Sequence, residues 1–497
     1  MKKNYLSIVL YLIGALNLMA QSTKEEQLRA FVEKALDEFS MIPGISVAVS
    51  NHEGPIYSRG FGYADIENKV KANEKTNFYI ASCTKSFNGL LASILESEGK
   101  IDLKEQIINY KPFSAFTNRD LFNGITVMDL LSHQSGLDNE FLSFKLAYSG
   151  DYTQDQILDL IENESIANEN GKSFEYTNYG YYLLDVLLQA ELGESWKDLL
   201  KERVFNPIGM EQTTAYMSEV SANQLALPYN GINADEVEKS RLIKTDETMH
   251  AAGGLVSTAD DISKFLSFYL NGGIVNGKQL YPKELVKGTY FQQTEATNNR
   301  VEIFDIYGYA TGWRLGKFNN LNAVHHFGGY VGYFSHMSFL PEKDLGVAVF
   351  VNHGMGALIG NLIAEYAYNL YLENDNALKN NHETLESKLP QMLESFRQRM
   401  DAHQKKMAER TWQLSLDKEK YAGLYHNYKL GTVEVSLVGD QITVKYGNLI
   451  ADATPYPTEN TMRVELVPGS GSVIGFNLVD SEVKSVSYKS DTFTKIN

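Results

Sequence analysis

Phe78-Tyr79-Ile80-Ala81-Ser82-Cys83-Thr84-Lys85-Ser86-Phe87-Asn88-Gly89-Leu90-Leu91 carries a chain of apolar and small residues into a helix, with a serine and a lysine three positions apart. Residues at that spacing share a helix face, so the Lys85 amine can reach the Ser82 hydroxyl. A hydroxyl is a weak nucleophile until a neighbouring base takes its proton. Burial and a helix N-terminus both disfavour a positive charge, which suits Lys85 to that task. The same pattern recurs at Ser97–Lys100, Ser415–Lys418 and Ser481–Lys484. Context separates the copies. Ser97–Lys100 contains Gly99 and closes a helix, and the other two lie among strand-like or charged residues. Only Ser82 opens a helix behind a β-rich approach.

Two further patterns stand downstream. One is Phe174-Glu175-Tyr176-Thr177-Asn178-Tyr179-Gly180, and the other is His325-His326-Phe327-Gly328-Gly329-Tyr330-Val331-Gly332-Tyr333. Tyr-x-Asn also occurs at Tyr269, Tyr425 and Tyr446, and His-x-Gly at His52, so order matters more than the letters. Ser82-x-x-Lys85, Tyr176-x-Asn178 and His326-x-Gly328 follow one another at separations of 94 and 150 residues. Together they resemble the three motifs of the serine β-lactamase and penicillin-binding-protein superfamily. The branch they are most similar to holds class C β-lactamases, D-aminopeptidases, D-Ala-D-Ala carboxypeptidases and esterases. Leu130–Leu137, Phe205–Met210 and Ala252–Asp261 resemble secondary signatures of the same branch.

The resemblance implies an α/β fold. Its core is a β-lactamase-like sandwich, an antiparallel sheet flanked by helices with an all-helical subdomain. It also implies roles. Ser82 attacks a carbonyl and becomes an acyl-enzyme, Lys85 removes the serine proton, and Tyr176 relays protons to the leaving group and from water. Asn178 orients the lysine and binds the acyl amide. The N–H groups of Ser82 and Gly329 form the oxyanion hole, on a strand edge that Gly328 and Gly329 leave open. A phenol is a poor base at its ordinary pKa of about 10, so a lysine charge is expected to lower it. His326 stands where many relatives carry lysine, and Phe327 where a hydroxyl residue is common. Histidine is only partly charged near neutrality, so β-lactam carboxylate recognition is disfavoured, while His326 is still read as a substrate-site residue. His133 is read as a structural hydrogen-bonding residue, because the lysine fills the base position, and Cys83 as a small packing residue. No spacing suits a metal, and no cofactor is implied.

The substrate class that follows is an amide or ester, small-molecule or peptide, with a D-residue peptide or a small ester as the expectation. β-Lactam hydrolysis and penicillin-binding carboxypeptidase activity remain open, as does a catalytically weak binding or sensor protein on the same fold.

The rest of the chain frames this core. Its 497 residues call for more than one domain, and 43% hydrophobic with 11% aromatic residues excludes disorder. A net charge of −17 argues against a nucleic-acid partner. Lys2 and Lys3, the apolar run Tyr5 to Met19 and then Ala20 read as an export leader over residues 1–20, which implies a periplasmic or secreted protein. No later run is long enough for an integral membrane span. With Cys83 alone, no intramolecular disulfide forms, and a homo-oligomer is compatible with the sequence.

Residues 21–372 are assigned to the hydrolase-like unit and residues 373–416 to a linker and helix. Helices are expected over 24–39, 181–191, 259–270 and 356–371, and strands over Tyr309–Leu315, Tyr333–Leu340 and Leu345–Asn352. Residues 417–497 alternate apolar and polar at Thr432–Leu437, Ile442–Tyr446 and Met462–Leu466. They are read as a small antiparallel β-barrel, similar to the lipocalin-like module of some superfamily members.

Overall fold

The computed structural model describes residues 23–169, 171–296, 303–489 and 491–496, so the expected leader lies outside the described residues. A helix spans 23–38, and Leu28, Phe31, Val32 and Ala35 recur on its buried face. Pro43-Gly44 ends this segment and starts a hairpin of Gly44–Asn51 and Gly54–Asp65. Gly44–Asn51 also pairs with Leu345–Val351, so the start of the unit closes against its end.

The resulting antiparallel sheet has nine strands among the described residues. Their order is Thr294–Glu295, Asp305–Tyr309, Arg314–Phe318, Leu321–Tyr330, Tyr333–Leu340, Leu345–Val351, Gly44–Asn51, Gly54–Asp65, Val70–Lys71. Side chains alternate between two cores, as the period of a strand requires. Val47, Val347 and Val349 enter one core with Phe31, Ile363 and Tyr366. Ala48, Ala348 and Phe350 enter the other with Phe87, Leu91, Ile262 and Phe265. Phe31 stacks on Tyr366 at 3.8 Å, joining the first helix to the helix Ala357–Tyr371. Each large side chain buried this way contributes about 1.5–3 kcal/mol. The second face carries Thr84–Ser97 and Ala259–Leu270, and the helical region behind it includes Tyr179–Leu192. This is the expected sandwich with its helical subdomain.

Three details differ from the sequence reading. The strand expected over Tyr309–Leu315 is two strands, Asp305–Tyr309 and Arg314–Phe318. Between them the chain turns at Gly312, whose φ is +83° and whose added Cβ would lie 2.2 Å from the Lys85 carbonyl oxygen. Close packing against the Ser82 helix, invisible in periodicity, breaks the strand there. The helix after Tyr176 starts at Tyr179, not 181, which makes Asn178 its N-cap residue. The polar stretch expected as linker is helical over Asp375–Glu383 and continues through a π-helical turn, Thr384–Lys388, into Leu389–Ala408. Pro390 directly follows the π-helical turn, whose altered backbone pairing accommodates the N–H that proline lacks.

A second antiparallel sheet of nine strands occupies the C-terminal region. Its order runs Leu449–Asp452, Gln441–Tyr446, Gly431–Val438, Gly423–Asn427, Asp491–Lys495, Glu482–Tyr488, Ser470–Val479, Thr461–Val467, Thr454–Pro455. The two edge strands are consecutive in the chain. Ala453 bridges them, its N–H donating to Ile442 O at 2.8 Å and its carbonyl accepting from Gln441 Nε2 at 3.0 Å. The sheet is therefore a nearly closed barrel, with Val433, Val435, Val444, Met462, Val464, Val486 and Phe493 inside.

Candidate active site

Ser82 lies in a short 3-10 turn, Ala81–Cys83, which passes directly into the helix Thr84–Ser97. Phe78 pairs with Ser257 and Tyr79 with Val256, and Ile80 N–H donates to Leu255 O at 2.9 Å, so the approach is fixed on one side. Ser335 Oγ donates to Ile80 O at 2.7 Å and fixes the other side. Ala81 has φ +46°, an uncommon conformation for a residue with a Cβ, and it turns Ser82 out of the core. Ser82 is half-buried while Ala81 and residues 83–92 are buried.

Lys85 is 0% exposed, and its Nζ meets three oxygens: Asn178 Oδ1 at 2.7 Å, Ala252 O at 2.7 Å and Ser82 Oγ at 3.2 Å. Burial first, and Arg314 second, hold the amine well below the ordinary lysine range. The two carbonyl oxygens can only accept, so they take both N–H groups of a neutral amine. Its lone pair is then left for the Ser82 hydroxyl. The sequence located Ser82, Lys85 and Asn178. It gave no sign of Ala252 O, a backbone atom whose position belongs to the fold.

Tyr176 sits over this pair, with Lys85 Nζ 5.0 Å from its ring centroid. Burial pushes its phenol up to about 12, against the pull of the Ser82 hydrogen bond and of Arg314. The expected lowering of this phenol is therefore corrected: a neutral lysine lends no charge, and desolvation wins. His133 braces the ring at 4.4 Å, and its Nδ1 accepts the Thr177 N–H at 3.3 Å. The bond to Thr177 matches the structural hydrogen-bonding role read from the sequence.

His326 requires a second correction. Its ring is brought under the site but is 1% exposed. Nδ1 contacts Phe327 O at 2.8 Å and Nε2 contacts the Tyr309 hydroxyl at 3.1 Å. A carbonyl only accepts, so Nδ1 carries the proton and Nε2 accepts from Tyr309, which is the neutral ring. Burial and the Arg314 charge hold it neutral. His326 thus presents no cation to a substrate.

The cation is Arg314, which the sequence reading missed. Its guanidinium lies 5.0 Å from the Tyr176 ring centroid and is half-buried. Among the described residues it has no carboxylate partner, although it acts electrostatically on Lys85, His133, Tyr176 and His326. The one available signal was an arginine between the apolar Trp313 and Leu315 in the strand expected over Tyr309–Leu315.

Gly328 and Gly329 lie on the strand Leu321–Tyr330, paired on one side with Tyr333–Leu340. On the other side, pairing with Arg314–Phe318 stops at His325, so residues 326–330 leave an edge open toward Ser82. A Cβ on Gly328 would fall 2.1 Å from Ile80 O, so only glycine lets the strand lie against the Ser82 turn. Gly329 is exposed, with open space about its Cα. Cys83 is buried, its Sγ 3.4 Å from both His326 O and Ser335 Oγ, and burial pushes its thiol up to about 12, so it packs. The other Ser-x-x-Lys copies are not sites: Ser97 ends a helix, Ser415 Oγ bonds Glu459, and Lys484 pairs with Glu482.

A hydroxyl and an amine at a helix start, a Tyr-x-Asn loop capping the next helix and a His-x-Gly strand edge have now met at one point. The profile of the family described as Beta-lactamase matches residues 32–359. The chain belongs to the Beta-lactamase family.

Protein flp of Staphylococcus aureus (strain MW2) is 23% identical over 328 residues, 66% of this Beta-lactamase-family chain and 63% of that protein. The match thus spans a little under two thirds of that relative's length. Among solved structures, the octameric penicillin-binding protein homologue from Pyrococcus abyssi has a TM-score of 0.58 at 24% identity, covering 95% of this chain and 99% of that chain. The D-amino acid amidase from Ochrobactrum anthropi SV3, complexed with D-phenylalanine, has a TM-score of 0.57 at 25% identity, covering 71% of this chain and 99% of that one. Among the described residues no group of His, Cys, Asp and Glu is placed to hold a metal ion, and no helix is long and apolar enough to cross a membrane.

Proposed function

We propose that this protein is an exported serine hydrolase acting on amides or esters through a Ser-Lys-Tyr acyl-enzyme. The carrying observation is the Lys85 amine, held by two carbonyl acceptors and 3.2 Å from Ser82 Oγ. In the proposed cycle the Ser82 hydroxyl gives its proton to Lys85 as Oγ bonds to the substrate carbonyl carbon. The carbonyl electron pair moves to oxygen, which the N–H groups of Ser82 and Gly329 receive. Collapse re-forms the carbonyl and expels the amine or alcohol. The leaving group takes the Tyr176 proton, and Tyr176 recovers one from the Lys85 ammonium. Water then repeats the sequence on the acyl-enzyme and restores Ser82. Asn178 holds Lys85 and faces the acyl amide.

This scheme fixes the pH profile. kcat/KM rises as Lys85 loses its proton, below the ordinary lysine range, and falls only as Tyr176 ionises near pH 12. A phosphonate that labels the wild type and spares Ser82→Ala supports the nucleophile assignment; equal labelling of both overturns it.

For substrate, the likeness to a D-amino acid amidase supports D-residue amides and peptides, with small esters beside them. Arg314 favours a second reading, a penicillin-binding carboxypeptidase, because an unpaired guanidinium suits a substrate carboxylate. Arg314→Gln is expected to raise KM about thirtyfold for a peptide ending in a free carboxylate and to leave a neutral p-nitrophenyl ester unchanged. Equal effects on both substrates would remove the carboxylate role. Export over residues 1–20 is tested by the N-terminal sequence of the mature protein, and self-association by light scattering.

A further inference from the structure

Lys145–Ser149 forms a π-helical turn after the short helix Glu140–Phe144. Such turns bond i to i+5 and occur mostly as single-turn bulges, frequently at functional sites. This one is gripped from two directions. On the side of the C-terminal barrel, the buried Lys145 Nζ donates to Leu430 O at 2.8 Å, while a second bond at 2.7 Å goes to Asp151 O in its own region. Ser149 O accepts the Asn448 N–H at 2.7 Å, and Phe144 lies 5.4 Å from the Tyr446 ring.

On the opposite side, Ala147 O accepts from Lys244 Nζ at 2.7 Å and from the Tyr330 hydroxyl at 3.3 Å. Tyr148 stacks on Tyr330 with centroids 5.7 Å apart, and Lys244 Nζ lies 4.1 Å from the Tyr330 ring. Tyr79 meets Tyr330 edge-on at 5.1 Å. Tyr330 directly follows Gly329, and Tyr79 stands three residues before Ser82.

We propose that the C-terminal barrel is a positioning element of the active site: it seats the Lys145–Ser149 turn, and that turn holds Tyr330 and Tyr79 so that the Gly329 strand and the Ser82 turn keep their spacing. The physical reason is that Ala147 O is shared. Moving the turn moves both the acceptor of Lys244 and the acceptor of Tyr330, and the Gly329 N–H moves with them. Catalytic geometry tolerates little displacement: a shift of about 1 Å costs on the order of a hundredfold. The barrel thus acts through packing on residues it does not supply to the chemistry.

The inference rests on Ser82 being the nucleophile, and the test separates the two claims. Three full-length variants are compared. Lys145→Met cuts the grip of the barrel on the turn. Tyr148→Leu cuts the grip of the turn on Tyr330. Lys429→Met removes the Lys429–Glu164 ion pair, which also joins the barrel to the helical region but does not touch the turn.

The limiting rate of phosphonate labelling and kcat are expected to fall about tenfold in the first two, with KM held within about twofold and Lys429→Met at wild-type rate. A merely structural role would lower the melting temperature of all three without this split between kcat and KM. Wild-type rates in Lys145→Met and Tyr148→Leu, or an equal fall in Lys429→Met, overturn the proposal. If Lys145→Met does not fold, Phe144→Leu, which loosens the contact with Tyr446 of the barrel, takes its place with the same expected fall. Wild-type protein that fails to label at Ser82 sinks the hydrolase reading instead, whereas a labelled wild type matched by its variants sinks only the positioning role.

Discussion

Lys85 and Lys244 are two lysines buried under almost the same conditions, yet only one stands beside a reactive group. Both are nearly closed to water, both donate N–H hydrogen bonds to two carbonyl-type oxygens, and burial lowers both amines well below the ordinary range. The third neighbour differs. Lys85 faces the Ser82 hydroxyl, whereas Lys244 faces the ring of Tyr330. Desolvation keeps each amine neutral, with a lone pair free to take a proton, and only Lys85 has a hydroxyl within reach. The contrast teaches that a perturbed amine marks a strained environment, and chemistry has to be argued from its partner.

The largest effect expected from this contrast is on Lys85. Lys85→Met should lower kcat/KM by about 10⁴-fold or more, as removal of a member of a nucleophile–base unit does, with circular dichroism unchanged. Activity within tenfold of wild type would break the comparison. Lys244→Met should cost only about tenfold in kcat, through the placement of Tyr330, and should leave the pH profile in place. A collapse equal to that of Lys85→Met would show that the two amines share the chemistry.

The smallest effect extends the contrast to a carboxyl. Burial pushes Asp185 up to about 7 from an ordinary 3.8, with Lys197 opposing. Between those values the folded chain holds a proton that the unfolded chain has lost. This group therefore makes stability fall as pH rises through that window. Asp185→Asn should abolish that decline and raise stability at pH 8 by roughly 1–3 kcal/mol, read from urea melts at pH 5 and pH 8. An unchanged slope would show that Lys197 keeps the carboxylate ionised.

Some of this was legible early. Ser82 with Lys85, and Tyr176 with Asn178, each sit within a few residues of one another, and helix or loop geometry couples such neighbours whatever the fold. The alternating segments of the C-terminal region likewise announced a sheet, because a strand with one buried face must alternate. Long-range contacts were not legible. The strand break at Gly312 comes from the Lys85 carbonyl pressing on it from a different element. The neutral state of His326 comes from burial and then from Arg314, and Arg314 itself carried no motif. The polar stretch Asp375–Glu383 looked like a linker because composition reports solvent exposure and does not distinguish an exposed helix from a coil.

By itself the sequence determined the reactive residue types, their order and the periodicities that build each element, since these are local properties of the chain. The tertiary structure alone decided which amine meets a hydroxyl, which imidazole is neutral and which guanidinium is left without a partner. Protonation and reactivity depend on solvent exclusion and on neighbours brought from distant positions, and no stretch of sequence contains those by itself.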